Sequence, residues 1–202
     1  VEFIKGKLSM KSVRKTLLVD NYDSFSYNLV HLVEKITHSK VTVYCNDKID
    51  LDQVSVYDKI ILSPGPGIPS EAGLLIPLIK TYASSKSILG VCLGHQAIAE
   101  AFGARLINLK TVFHGVATPI RILDRKDPLY AGLDENFIVG RYHSWIVSED
   151  GLPPTLVIKS VDEQNNIMGL KHSQYDVQGI QFHPESILTP CGEMILRNWL
   201  NY

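Results

Sequence analysis

The sequence predicts an α/β fold: a mostly parallel central sheet flanked by helices, with antiparallel strands added in the C-terminal half. Three observations predict it. Short apolar runs bounded by turn residues alternate with stretches whose apolar residues recur at helical spacing, as far as residue 102. A glycine–cysteine–glycine turn joins one such run to one such stretch. Beyond it the rhythm changes to successive strand-like runs joined by short turns, with no helical pattern until the C-terminal stretch.

The elements follow in order. Residues 16–19 (Thr-Leu-Leu-Val) read as a short buried strand. Residues 28–36 carry Leu29, Val30, Leu32, Val33 and Ile36, which share a helix face. Residues 41–45 and 58–62 read as the second and third strands. A dense turn, Ser63-Pro64-Gly65-Pro66-Gly67-Ile68-Pro69, then leads to a helix expected over 71–82. The next strand is 88–91 and the next helix 94–102. This β-α-β-α alternation calls for parallel strands with helices on both faces. In the second half, 118–123, 137–139, 155–160, 167–170 and 177–181 read as strands, which suggests antiparallel additions. A final helix is expected over 192–199. With no repeat, low-complexity tract or linker, the chain reads as one domain over 16–202 after an N-terminal fringe of 1–15.

Composition narrows the function classes. The 202 residues are 45% hydrophobic, enough for one well-buried core. The formal net charge of −1 gives no basic excess for nucleic acid and no acidic tail. No apolar run approaches the ~20 residues that span a bilayer, so no membrane association is expected. The first residues lack an apolar core followed by a cleavage site, so no signal peptide is expected, and Met10 offers an alternative start. The three cysteines, Cys45, Cys92 and Cys191, form no CxxC pair, so neither a disulfide scaffold nor a structural zinc site is expected. A cytoplasmic location is the expectation.

Cys92 stands out. Gly90 and Gly94 flank it two residues either side, where a strand turns sharply into a helix. Such a turn needs small neighbours, lifts the sulfur above the sheet edge and aims the first free helix amides at it. A free cysteine is otherwise most often a small buried hydrophobe. A nucleophilic thiol needs a histidine and a group to orient it. Of seven histidines, His183 is the best placed: it ends a strand-like run, Pro184 keeps it extended, and Glu185 then points the same way. The bland reading of this segment is a solvated surface turn. His95, next to the elbow, is a rival base, but its place in the first helical turn tends to point its ring away from the sulfur. The Pro-Gly turn at 63–69 suits close backbone approach to a ligand and, with the amide of Leu93, offers two donors to an oxyanion. It lacks the G-K-[ST] ending of a phosphate loop, and alone it is an ordinary tight turn.

Together and in this order, elbow, turn and His-Pro-Glu resemble the class I (triad) glutamine amidotransferases, a flavodoxin-like fold. The likeness is closer to one branch, the small subunits of anthranilate synthase and aminodeoxychorismate synthase. It is carried by VDNYDSFSYNL (19–29), LSPGPGIPSEAG (62–73), ILGVCLGHQAIAEAFGA (88–104), RYHSWIV (141–147) and GIQFHPESILT (179–189). The resemblance implies that Cys92 attacks the carboxamide of L-glutamine, that His183 is the acid-base partner and that Glu185 orients it. It implies an oxyanion hole from the amides of Gly67 and Leu93. It implies glutamine contacts from Gly65, Pro66, Gly67 and Gln96 and from the backbone of Ser144 and Trp145. Gln96 lies one helical turn after Cys92, facing the same pocket. No metal or cofactor is implied for this chain, although the family's partner subunit uses Mg. That partner is a larger chorismate-binding subunit which takes the ammonia.

The segment 21–26 resembles the branch's interface and pocket edge, while Asp23 or Ser24 is also the expected N-cap of the following helix. Two departures stand out: Val116 follows His114-Gly115 where the branch usually has a lysine, which bears on coupling to the partner, and Trp145 replaces a common leucine. The competing readings are a stand-alone cysteine hydrolase of γ-glutamyl substrates and a non-catalytic stabilising subunit.

Overall fold

The computed structural model describes residues 14–201. The expected N-terminal fringe, apart from Arg14 and Lys15, and the alternative start at Met10 lie outside the described residues. The elements run β1 (Thr16–Asp20), α1 (Ser26–Thr37), β2 (Val41–Cys45), β3 (Lys59–Leu62), α2 (Leu75–Tyr82), β4 (Ser87–Val91), α3 (Leu93–Ala101) and β5 (Leu106–Asn108). There follow β6 (Val116–Ile122), β7 (Asn136–Arg141), β8 (Trp145–Val147), β9 (Leu156–Asp162), β10 (Ile167–His172), β11 (Val177–Ile180) and α4 (Gly192–Asn201). Nine strands form one sheet in the order β2-β1-β3-β4-β11-β10-β9-β6-β7, and β5 and β8 form a separate antiparallel ribbon.

The strands from β2 to β11 pair in parallel, and they are apolar on both faces because helices cover both. Successive residues face opposite layers. Leu17, Val19, Ile60, Leu62 and Ile88 join the core under α2 and α3, with Leu75, Leu78, Ala97 and Ile98. Leu18, Ile61, Leu89 and Val91 join the other core, with Leu29 and Val33 of α1 and Ile195 and Trp199 of α4. Burying each such side chain stabilises the fold by about 1.5–3 kcal/mol. Lys59, buried in β3, donates from Nζ to the carbonyl of Trp199 at 2.9 Å and so ties the sheet to the last turn of α4.

Three expectations need correction. The strand expected at 177–181 belongs only in part to the antiparallel additions: β11 is antiparallel to β10 but parallel to β4, in register Gly179↔Gly90 and Ile180↔Val91. It is the seam between the two halves of the sheet. The helix expected from residue 71 starts at Leu75, because Gly73 holds φ +54 with its Cα so close to Asn46 that a Cβ would stand 2.8 Å from the Asn46 carbonyl oxygen. The chain makes a 3-10 turn, Pro69–Glu71, before the helix begins. Finally, α1 is capped by neither expected side chain: its N-cap is Phe25, which makes no side-chain cap bond. Asp23 acts one step earlier, its Oδ1 accepting from the Phe25 amide at 2.7 Å. The ribbon β5–β8 has no counterpart in the sequence reading. Each of its strands is only three residues long, too short to show a period.

Candidate active site

The site forms where β4 ends beside β11. Cys92 is the N-cap of α3 with φ 52 and ψ −100, a backbone conformation rare outside glycine that costs of order 1–3 kcal/mol. Its amide makes the last strand bond, to the Ile180 carbonyl at 2.9 Å, and its carbonyl makes the first helix bond, from the Gln96 amide at 3.1 Å. The flanking glycines are required by packing. A Cβ on Gly90 would stand 2.4 Å from the Gly94 carbonyl oxygen, and one on Gly94 would stand 2.4 Å from the Leu62 carbonyl oxygen. The strand, the helix and the neighbouring strand therefore touch backbone to backbone. As the first residues of a helix, Leu93 and its neighbours have amides with no intrahelical acceptor, all at the positive end of the helix dipole.

Because β11 runs parallel to β4, the residues just past each strand end lie side by side. Past β4 comes Cys92, and past β11 come Gln181, Phe182 and His183. His183 is pinned by its amide to the Gly140 carbonyl at 3.1 Å, and its own carbonyl accepts from Thr189 Oγ1 at 2.6 Å. Its Nδ1 meets Glu185 Oε1 at 2.7 Å, with both side chains buried. Its Nε2 forms no well-aligned hydrogen bond, and the Cys92 sulfur is its charge partner. Burial alone would lower the imidazole pKa, but the Cys92 sulfur and the hydrogen-bonded Glu185 carboxylate outweigh it and push the value up to about 10. Tyr142 packs edge-on to the ring, centroids 4.8 Å apart, and its hydroxyl meets Ser186 Oγ at 3.0 Å.

A cleft of about 240 Å³ opens over the sulfur, lined by Gly65, Pro66, Gly67, Cys92, Gln96, Tyr142, His143, Ser144 and Trp145. All six residues expected to contact glutamine line it. Gly67 takes φ +75, a turn that favours glycine. Gly65 lies so near Asn21 and Leu93 that a Cβ would stand 2.5 Å from Asn21 Cβ and 2.8 Å from Leu93 Cδ2. Asn21 clamps this loop: its Nδ2 donates to the Ser63 carbonyl at 2.8 Å, its amide donates to Ser63 Oγ at 2.9 Å, and its Oδ1 accepts from Asn46 Nδ2 at 2.9 Å. Opposite, Gln96 Nε2 donates to the Trp145 carbonyl at 2.8 Å and to Gln181 Oε1 at 3.2 Å.

The wall at 142–145 is held from behind. Arg141 Nη1 pairs with Asp162 Oδ2 at 2.8 Å, both side chains almost fully buried, and its guanidinium lies 3.6 Å from the centre of the Phe113 ring. Arg141 Nε donates to His143 Nε2 at 3.1 Å, and His143 Nδ1 bonds the Trp145 carbonyl at 3.0 Å. Burial and the Arg141 charge hold His143 down to about 3, so it stays neutral and donates from Nδ1. His95, the rival base, is driven down to about 4 by burial. Its ring lies against Gly179, where a Cβ would meet Nδ1 at 2.8 Å.

The sequence reading placed Asn21 only within a segment resembling the pocket edge, without its clamp on the loop, and missed Arg141, His143 and Gln181. The run RYHSWIV and the QF before His-Pro-Glu were the only signals for three of them, and neither suggested buried contacts. A wider cleft of about 360 Å³ between β6, β7 and the β9–β10 turn holds no thiol or histidine.

A family model described as glutamine amidotransferase class-I matches residues 17–201. The chain is 43% identical over 195 residues to anthranilate synthase component 2 of Thermus thermophilus, covering 94% of this chain and 93% of that protein. It is 42% identical over 187 residues to aminodeoxychorismate synthase component 2 of Escherichia coli, covering 92% and 98%. In fold it resembles the solved structure of a glutamine amidotransferase from Thermotoga maritima, with TM-score 0.76 at 14% identity over 94% of this chain and 97% of that one.

Proposed function

The chain belongs to the class-I glutamine amidotransferases, and from that premise we propose that it is the glutaminase subunit of a chorismate-using synthase, with Cys92, His183 and Glu185 as its working triad. The observation that carries the triad is the 2.7 Å contact between His183 Nδ1 and Glu185 Oε1, which leaves the opposite nitrogen to the Cys92 sulfur.

The chemistry follows from the geometry. The Cys92 thiolate, paired with the His183 imidazolium, attacks the carboxamide carbon of glutamine. The carbonyl oxygen takes up the displaced electron pair and is held by the amides of Leu93 and Gly67, each such donor typically worth ~10²–10³ in rate. His183 passes its proton to the departing nitrogen, ammonia leaves, and a thioester remains. Neutral His183 then takes a proton from water, the hydroxide adds to the thioester, and glutamate leaves as the thiolate and imidazolium are restored. Glutamine and water become glutamate, ammonia and one proton, which the new side-chain carboxyl gives up as it ionises. Glu185 keeps the imidazole in one tautomer throughout. Gly65, Pro66, Gly67, Gln96 and the backbone of Ser144 and Trp145 hold the glutamine.

The ammonia passes to a larger, chorismate-binding subunit that makes anthranilate or aminodeoxychorismate. The names of the two curated relatives support a second component. So does exposed apolar surface on the segments that bear the site: Ile187, 93% exposed, lies two residues past Glu185, and Tyr22 and Tyr27 flank the start of α1. The test is reconstitution with that subunit. Cys92→Ala abolishes glutamine-dependent synthesis and spares synthesis from ammonium salts. Equal loss of both refutes the transfer role, and faster release of the amine-bearing leaving group from γ-glutamyl peptides than of ammonia from glutamine points to the stand-alone hydrolase.

A further inference from the structure

The nucleophile has a second polar neighbour besides the imidazole. Gln181 is completely buried, and its Nε2 donates to Cys92 Sγ at 3.6 Å. Its orientation is set by its neighbours. The Trp145 carbonyl can only accept, so the Gln96 nitrogen faces it. The same nitrogen faces Gln181 Oε1, and that leaves the Gln181 nitrogen to the sulfur. The backbone is pinned as well, with the Gln181 amide donating to the Met168 carbonyl at 2.9 Å.

We propose that Gln181 is a further catalytic residue of this site, its Nε2–H favouring the thiolate form of Cys92 and linking that sulfur to the residue that grips the substrate. The proposal rests on the glutaminase reading above. An amide donor stabilises a charged sulfur more than a neutral thiol. It therefore acts twice: before attack, and again when the thioester breaks and the sulfur recovers its charge as the leaving group. Both hydrogens of the Gln96 amide are already used, by Trp145 and Gln181, which leaves its oxygen for the cleft. A donor on the bound amino acid, such as its ammonium group, polarises that amide and strengthens the chain that ends at sulfur. The titratable groups around this chain are His183 and Glu185 past β11, neutral His143 backed by Arg141 past β7, and His95 on α3.

The test is peptide-resolved alkylation of Cys92 against pH in the full chain, comparing wild type with Gln181→Met and Gln181→Glu, with thermal melts reporting folding. Loss of the donor moves the alkylation midpoint upward by about one pH unit, the size of a charge-assisted hydrogen bond. Gln181→Glu moves it further in the same direction, because it sets a carboxylate beside the sulfur. Glutamine hydrolysis by Gln181→Met falls, and the loss shrinks as the pH rises through the shifted midpoint, which lost packing does not do. An unmoved midpoint in either folded variant overturns the proposal. Gln181→Leu, which also removes the donor and adds no charge, carries the test if methionine is not accommodated. The midpoint is read without substrate, so the two failures differ. A wild-type chain that does not hydrolyse glutamine even when joined by the larger subunit refutes the proposed function, whereas an unmoved midpoint refutes the role of Gln181.

Discussion

Gly94 rests directly on the backbone of Leu62: a single methyl group at residue 94 would stand 2.4 Å from the Leu62 carbonyl oxygen. Neither partner is a flexible side chain, so the contact cannot relax by a rotamer change. Gly94→Ala is expected to destabilise the fold by about 3 kcal/mol, the upper end of overpacking costs, and to lower Tm by roughly 6–12 °C. Because the strain falls on the first turn of α3, thioester formation should be lost even in the folded fraction. A melt together with trapping of the acyl-enzyme by a glutamine-like alkylating agent checks both.

Glu185→Gln keeps the shape beside His183 and removes its charge. Since the carboxylate is one of the causes holding the imidazole up to about 10, the variant's His183 pKa should fall, visible by imidazole NMR. The rate kcat for glutamine hydrolysis should drop by about 10² or more, with KM changed far less, because the carboxylate orients the base and does not line the cleft.

The Arg141–Asp162 pair is the buried brace of the pocket wall. Asp162 also accepts from the Gln164 amide at 2.9 Å and from the Asn166 amide at 2.8 Å. Asp162→Leu strands a buried guanidinium and is expected to cost about 3–5 kcal/mol. As His143 loses its anchor, the Trp145 carbonyl shifts, and KM for glutamine should rise more than kcat falls. Steady-state kinetics on the folded variant separates the two.

Acid should weaken the fold through two neutral histidines. His143 and His95 are held down to about 3 and about 4 against an ordinary 6.5, so between those values the unfolded chain binds protons that the folded chain refuses. Stability from this source is complete above the ordinary value and is lost progressively as pH falls from there toward the two lowered ones. At about pH 5 each histidine should cost about 2 kcal/mol. The fall in Tm from about pH 8 to about pH 5 should be shallower in His143→Gln than in wild type.

Much of the site was legible because its signals are local. The spacing Gly90-x-Cys92-x-Gly94 describes one tight turn, and His183-Pro184-Glu185 describes one extended step, so each half could be read within a few residues. What was not legible depends on pairing across the chain. Asn21 reaches Ser63, Arg141 reaches Asp162 and Gln181 reaches Cys92, contacts that no local period encodes. The same holds for the fold. The strands and helices of the first half announced themselves by alternation, whereas the late start of α2 depends on Gly73 meeting Asn46, far away in sequence. The parallel partner of β11 depends on which strand edge was still open when the chain returned.

That return has a temporal consequence. The ribosome makes the reactive thiol long before it makes the imidazole and carboxylate, and only the docking of β11 against β4 unites them. A slip of one residue in that docking turns the imidazole toward the opposite layer and drives a side chain into the place that Gly179 leaves for the His95 ring. Activity thus reports the fidelity of one long-range strand pairing, and a nascent chain stays chemically silent until that edge is occupied.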